Sequence, residues 1–324
     1  MTPSRPTEAR ALWITAPRRV ALRTEPLRPA ANSLHLRALW SGISRGTESL
    51  VFNDRVPPEE HAGMAGPNQG GRLPYPVKYG YALVAQVESP GPLQGETVFC
   101  LHPHQDRTAL PPDAVIPLPA GLPPARAVLA ANMETALNIT WDAGIAPGDR
   151  VTVAGAGVVG ALVAHLAARI PGTEVTLTDI APGRATLAAA LGAGFALAGA
   201  APGNADVAIN ASASGEALAA LIAGAGPEAR IVEASWYGAR SVTLPLGGAF
   251  HAGRLQIVSS QVGRIPPARA PRWDFRRRLT KALALLADDR LDALISGESD
   301  FDDLPADYAR ILDDPATLCH RVRY

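Results

Sequence analysis

The chain is poor in the residues that would place it in several large functional classes. Only two cysteines occur in 324 residues, Cys100 and Cys319. That is too few for a disulfide framework or a four-cysteine zinc site. Lysine is nearly absent, with Lys78 and Lys281 the sole examples, and the basic residues are otherwise arginine. Neither sign of charge is in excess, since 30 acids balance 30 bases. No net field therefore favours nucleic acid or an anionic membrane. The most apolar long window, 154–170, is broken by glycine and falls short of the roughly 20 residues that span a bilayer. The opening residues Met1 to Arg5 lack the apolar core of a secretory signal. These absences lead to the expectation of a cytoplasmic protein acting on a small molecule, with no nucleic-acid or membrane partner. A hydrophobic share of 47% with 19% charged residues describes a globular chain, and its length suits two domains.

The most informative stretch runs from Arg150 to Asp179. Residues 150–154 form a short apolar run of strand character. They lead into Gly155, Ala156, Gly157, Val158, Val159 and Gly160, and the apolar segment 161–170 continues at helical length. A β-branched run, 174–178, then ends on Asp179. Strand, glycine turn, helix, strand and acid in this order make a dinucleotide-binding βαβ unit. Gly155 permits the tight turn, Gly157 lets backbone approach a pyrophosphate, and Gly160 lets helix and strand pack closely. The amides at the helix start, including those of Val158 and Val159, attract phosphates. Asp179, 24 residues after Gly155, is placed to accept hydrogen bonds from ribose hydroxyls. Its charge would repel a 2′-phosphate, so NAD is expected rather than NADP, a preference softened by the nearby Arg184.

Residues 10–120 read as short strands with proline-rich turns, which suggests a compact, barrel-like β domain. Strands are expected at 11–14, 19–23, 34–39, 81–87 and 97–100. Beyond Pro123 the texture changes. Helix-length segments at 125–143, 182–191 and 217–223 alternate with strands at 205–211, 230–234 and 255–260, which implies a parallel sheet with both faces covered. Phe275, Leu279, Leu283 and Leu286 recur at spacings of three and four on one amphipathic helix. The run 318–324 alternates like a strand and is placed to return to the N-terminal domain. The arginines at 264, 269, 272, 276, 277 and 278 form a cluster suited to an acidic substrate or, more simply, a solvated face.

This order resembles the medium-chain dehydrogenase/reductase superfamily of the zinc alcohol dehydrogenase type. The segment 41–48, with Gly42, Ile43 and Ser44, looks like the family's Gly-Ile-Cys segment. Residues 80–87 sit where Gly-His-Glu-x-x-Gly-x-Val is expected, and Thr135-Ala136 precedes Pro147-Gly148-Asp149. The resemblance implies an α/β protein: a GroES-like β-rich domain over residues 1–124, a Rossmann doubly wound sheet over 125–265, and a return segment over 266–324. It also implies a homodimer joined near 255–260. The family's catalytic zinc positions fall on Ser44, Tyr81 and Ala131, none a good zinc ligand, so a site without the usual zinc is expected. Cys100, His102, His104, Asp106 and Glu134 remain an alternative set of metal ligands.

Hydride transfer without a metal still needs a group that polarises the carbonyl and supplies a proton. Tyr81, Ser44 and Thr47 carry hydroxyls suited to this, and Lys78 is expected to lower a tyrosine pKa. Tyr81 could equally be an aromatic that fills the space of a lost metal. By the same resemblance Thr135 touches the nicotinamide, and Arg45 and, less directly, Arg321 reach the pyrophosphate. Ser235 and Trp236 follow a strand at the carboxyl edge of the sheet, where ligands bind. The reading is an NAD(P)-dependent alcohol or carbonyl oxidoreductase. Two alternatives stay open: a bacteriochlorophyllide dehydrogenase-like enzyme, which the Tyr81 region resembles locally, and a non-catalytic dinucleotide-binding regulator.

Overall fold

A computed structural model of the chain describes residues 7–324; the opening residues read above for a targeting signal lie outside that range. The chain divides into two compact units. One comprises residues 7–131, 283–287 and 295–324; the other comprises Asn132–Ala282 and Asp288–Leu294. The first boundary thus lies a few residues beyond the expected 124. Within the expected return segment, residues 266–282, with most of helix Phe275–Leu285, and 288–294 belong to the second unit.

The first unit is built on two sheets. The larger has the order Ile295–Asp300, Cys319–Arg323, Leu34–Ser44, Leu83–Val87, Thr97–Cys100 and Ile116–Pro117, with Arg107–Leu110 also pairing Leu34–Ser44. The return strand Cys319–Arg323 pairs antiparallel with Leu34–Ser44 in the register Cys319 to Ser44. Alternation along these strands sends Leu36, Ala38, Leu83, Ala85, Val98 and Cys100 into one core. The smaller sheet pairs Arg19–Pro26, Glu8–Ala16, Val77–Lys78 and Gly70–Gly71.

Two helices here went unread in the sequence. Arg45–Phe52 follows directly from the longest strand, where Gly46 and Thr47 are weak helix formers. Leu304–Asp313 buries Leu304, Tyr308, Ile311 and Leu312 at helical spacing, in a stretch whose acids masked the pattern.

The second unit is a six-stranded parallel sheet in the order Gly194–Leu197, Glu174–Asp179, Arg150–Ala154, Ala205–Asn210, Ala225–Glu233 and Gln256–Ser259. Counted along the chain this is 3-2-1-4-5-6, the doubly wound order whose ligand crevice lies at the carboxyl ends of the central strands. Buried Leu218, Leu221, Ile222 and Ile231 pack helix Gly215–Gly224 onto it.

The arginine cluster separates into different roles. Arg278 is 1% exposed and bonds Glu134 at 3.0 Å, Asn138 at 2.5 Å and the Val262 carbonyl at 2.5 Å. It is a core residue that ties helix Phe275–Leu285 to helix Ala130–Ala143. Arg269 and Arg277 lie over the rings of Trp141 and Trp273, which are 4.8 Å apart. Phe275, expected on the buried stripe, is 55% exposed beneath the Arg278 guanidinium, while Leu279, Leu283 and Leu286 are buried.

Two core histidines are kept neutral. His102 donates from Nδ1 to the Pro103 carbonyl (3.0 Å) and accepts at Nε2 from Thr108 (2.9 Å). Burial lowers its pKa from 6.5 to about 4. Burial lowers that of His165, on helix Val158–Ala167, to about 4 as well. The folded state declines protons that the unfolded chain accepts, so the stability from these groups is present above pH 6.5 and is lost as pH falls towards 4. Thermal melts should therefore show the melting temperature falling between pH 6.5 and 4.5, with a shallower fall in His102→Gln. A melting temperature flat across that window would contradict the assignment.

Candidate active site

The first unit holds a connected polar cluster where the longest strand passes into helix Arg45–Phe52. The Tyr81 phenol bonds the Ser44 hydroxyl closely and the Thr47 hydroxyl at 3.2 Å. One turn along the helix, Glu48 is fully buried. Its Oε1 accepts the Ser44 amide at 2.7 Å, and its Oε2 accepts the Tyr308 hydroxyl at 2.7 Å and His104 Nε2 at 3.1 Å. His104 in turn meets Ser41 through Nδ1 at 2.7 Å, and Ser41 meets the Tyr324 hydroxyl at 3.0 Å. The Tyr79 ring stands edge-on to that of Tyr81, with centroids 6.4 Å apart.

Three of the four expected catalytic residues, Tyr81, Ser44 and Thr47, thus share one hydrogen-bonded group. Lys78 does not join it. Its ammonium pairs closely with Glu25, bonds Gln105 at 2.5 Å and lies over Trp13. The expected lowering of a tyrosine pKa is reversed: burial pushes Tyr81 up to about 12, the Ser44 and Thr47 bonds offset only part of this, and the Glu48 charge adds to it.

Glu48 is the cluster's anchor. His104, Tyr308 and Tyr324 lie too far away in the chain for spacing to reveal them. Cys100, His102 and His104 form no shared ligand set: Cys100 lies in an apolar core, His102 is satisfied by Pro103 and Thr108, and His104 faces Glu48. Asp106 accepts from Arg10, and Glu134 pairs with Arg278. Among the described residues no group of three or more His, Cys, Asp or Glu side chains is placed to hold a metal ion.

The second unit holds the glycine turn. Gly155 has φ +99°, and a Cβ there would lie 2.8 Å from the Ala211 carbonyl oxygen. A Cβ on Gly160 would lie 1.9 Å from the Gly155 oxygen. On Gly157, the N-cap of helix Val158–Ala167, a Cβ would meet nothing within 4 Å among the described residues. The turn is therefore closed on its packing side and open above the helix start, which Val158 and Val159 begin. This arrangement suits the phosphates of a dinucleotide. Asp179 ends the second strand, and its carboxylate accepts Ala156 N–H at 2.8 Å and Ala181 N–H at 2.9 Å. Beside it Ile180 is 85% exposed. Arg184 opens the next helix, Arg184–Leu191.

The remaining expected cofactor residues are more dispersed. Thr135 is half-buried on helix Ala130–Ala143. Arg45 reaches the Leu312 carbonyl at 3.3 Å, and Arg321 pairs with Glu298 and lies over Trp40. Ser235 accepts Ala213 N–H at 2.9 Å and donates to the Asn210 carbonyl at 3.2 Å. Trp236, beside it, is half-buried.

No family model matches the chain, and no curated protein sequence matches it. Solved structures do. L-idonate 5-dehydrogenase from Escherichia coli aligns over 98% of each chain at 14% identity, with a TM-score of 0.80. An alcohol dehydrogenase from Escherichia coli complexed with NADH aligns over 98% of this chain and 100% of its own at 16% identity, TM-score 0.77. TarJ from Staphylococcus aureus in complex with NADPH aligns over 98% and 99% at 14% identity, TM-score 0.74. No helix among the described residues is long and apolar enough to cross a membrane. Sheet order, glycine turn and whole-length superposition agree that this chain has the fold of the medium-chain dehydrogenases and reductases.

Proposed function

We propose that the protein is a nicotinamide-dependent oxidoreductase that interconverts an alcohol and a carbonyl, using hydroxyl groups in place of the usual zinc. The observation that carries this reading is the Tyr81–Ser44–Thr47 cluster, built over a buried carboxylate, in which Tyr81 and Ser44 stand where the family resemblance expects metal ligands. Two hydroxyls and the methyl of Ala131 do not suit zinc. The likeness to a dehydrogenase complexed with NADH supports the cofactor class.

In this reading the glycine turn and the amides of Val158 and Val159 hold the pyrophosphate. Asp179, already oriented by two backbone amides, accepts the ribose hydroxyls and disfavours a 2′-phosphate. Exposed Ile180 offers an apolar wall for the adenine. When bound, the nicotinamide supplies hydride donor and acceptor chemistry. Tyr81, with its pKa pushed up to about 12, is a neutral phenol at physiological pH. Its one proton, which points to Ser44 in the free protein, would turn to the carbonyl oxygen, polarise it and be delivered in the reductive direction, with the Ser44 and Thr47 hydroxyls then donating to the phenolate left behind. The assembly that goes with this reading is a pair of chains joined along Gln256–Ser259, the outermost strand of the parallel sheet, and the compartment is the cytoplasm.

Turnover on a panel of small alcohols, polyols, their carbonyls and a hydroxyethyl chlorin, followed by NADH absorbance, tests the activity. Binding without turnover on every member would instead fit a regulator. Tyr81→Phe should lower carbonyl reduction by about 10²–10⁴-fold with NADH affinity unchanged. The wild-type reduction rate should show no loss near pH 10, the ordinary tyrosine value; undiminished turnover in Tyr81→Phe would remove the phenol from the mechanism. Wild-type protein should bind NADH more tightly than NADPH, and Asp179→Ser should narrow the gap. Equal affinities in the wild type would contradict the role of Asp179.

A further inference from the structure

We infer that residues 210–214 form a preset wall of the dinucleotide site, and that Asn210 and Ser235 are the positioning residues that hold it. The inference rests on the dinucleotide reading above and deepens it. The starting point is the back of the glycine turn. A Cβ on Gly155 would lie 2.8 Å from both the Ala211 oxygen and the Ser212 Cα, and one on Gly160 would lie 3.4 Å from the Ala211 Cβ. Backbone of the 210–214 segment is thus packed directly against the turn that receives the pyrophosphate, and Ala211 N–H bonds the Ala154 carbonyl at 2.8 Å. Any shift of this segment moves the turn.

The segment is held in a conformation that alanine does not choose. Ala213 has φ +54°, in the left-handed region that its Cβ disfavours. Such a residue persists only where its surroundings over-determine it, and such sites cluster at ligand clamps. Here both backbone groups of Ala213 are engaged: its N–H donates to Ser235 Oγ at 2.9 Å, and its carbonyl accepts Arg240 Nη2 at 3.1 Å.

The hold continues below. Asn210 is fully buried at the end of its strand. Its Oδ1 accepts Ser212 N–H at 3.2 Å and the Ser212 hydroxyl at 2.6 Å. Its Nδ2 donates to Glu233 at 2.7 Å, to the Tyr237 hydroxyl at 2.9 Å and to the Ser214 carbonyl at 3.3 Å. Glu233 also accepts Ser235 N–H at 2.7 Å and the Tyr237 hydroxyl at 3.0 Å, which fixes the serine that fixes Ala213. An amide buried with every donor and acceptor used, beside a strained alanine and a ligand turn, is pre-organisation: the ordering cost of the loop is met at folding and not on binding. Ser235 thereby acts through Ala213, whether or not it touches the cofactor.

Fluorescence titration of the whole chain with NADH tests this, at a temperature where circular dichroism shows each variant folded. Wild type should bind. Ser235→Ala should weaken binding about tenfold, the factor that follows from losing one buried hydrogen bond. Ser235→Thr, which keeps the hydroxyl, should bind as wild type does. Ala213→Gly introduced into Ser235→Ala should restore most of the affinity, because glycine adopts the left-handed conformation without help. Asn210→Ala, where it folds, should match Ser235→Ala or exceed it. Wild-type affinity in Ser235→Ala, or equal losses in Ser235→Ala and Ser235→Thr, would overturn the inference while leaving the dinucleotide reading intact. A wild-type chain that binds no NADH would overturn both.

Discussion

The carboxylate of Glu48 is the constraint on which the first unit's polar cluster depends. A fully buried carboxyl group is tolerable only when hydrogen-bond partners surround it. Glu48 finds three, from three separate parts of the chain: the Ser44 amide, His104 and Tyr308. Meeting that demand fixes where strand Leu34–Ser44 ends and where helix Arg45–Phe52 begins. It also seats helix Leu304–Asp313 against Arg45–Phe52, through Tyr308. The Ser44 hydroxyl, and the Tyr81 phenol bonded to it, are held by that anchor. Behind it, Ser41 and Tyr324 continue the chain of hydrogen bonds to the return strand. One buried acid therefore connects fold and site.

The second unit meets its own constraint differently, with backbone in place of charge. Gly155 and Gly160 are closed against neighbouring backbone, whereas Gly157 stands open. The same three glycines thus divide into two that pack and one that leaves room. The acid that ends the next strand, Asp179, returns to the turn by accepting Ala156 N–H. In both units a carboxylate accepts hydrogen bonds from backbone amides beside it, Glu48 from Ser44 and Asp179 from Ala156 and Ala181.

How much of this was legible in the sequence depended on the range of the interactions. The βαβ stretch was readable because its signals lie within 30 consecutive residues and each has a local cause. The return strand was readable by its alternation. Helix Arg45–Phe52 was not, because Gly46 and Thr47 in its first turn are weak helix formers and the partners of its buried Glu48 lie far off in the chain. The role of His104 depends on contacts 56 and 63 residues away in the chain, and no spacing rule reaches that far. Lys78 misled for the opposite reason. It is close to Tyr81 in sequence, yet Gly80, with φ +126°, separates the two, and the ammonium pairs with Glu25. Arg278, in a run that suggested a solvated face, is buried because Glu134 lies inside to receive it.

We propose that a hydroxyl cluster anchored by a buried carboxylate stands in the place of a catalytic zinc ion. The most direct measurement is elemental analysis of purified, active protein, repeated after exhaustive chelation. Turnover without stoichiometric zinc, unchanged by the chelator, is the expected result. One zinc per chain, with activity lost on its removal and regained on its return, would contradict it.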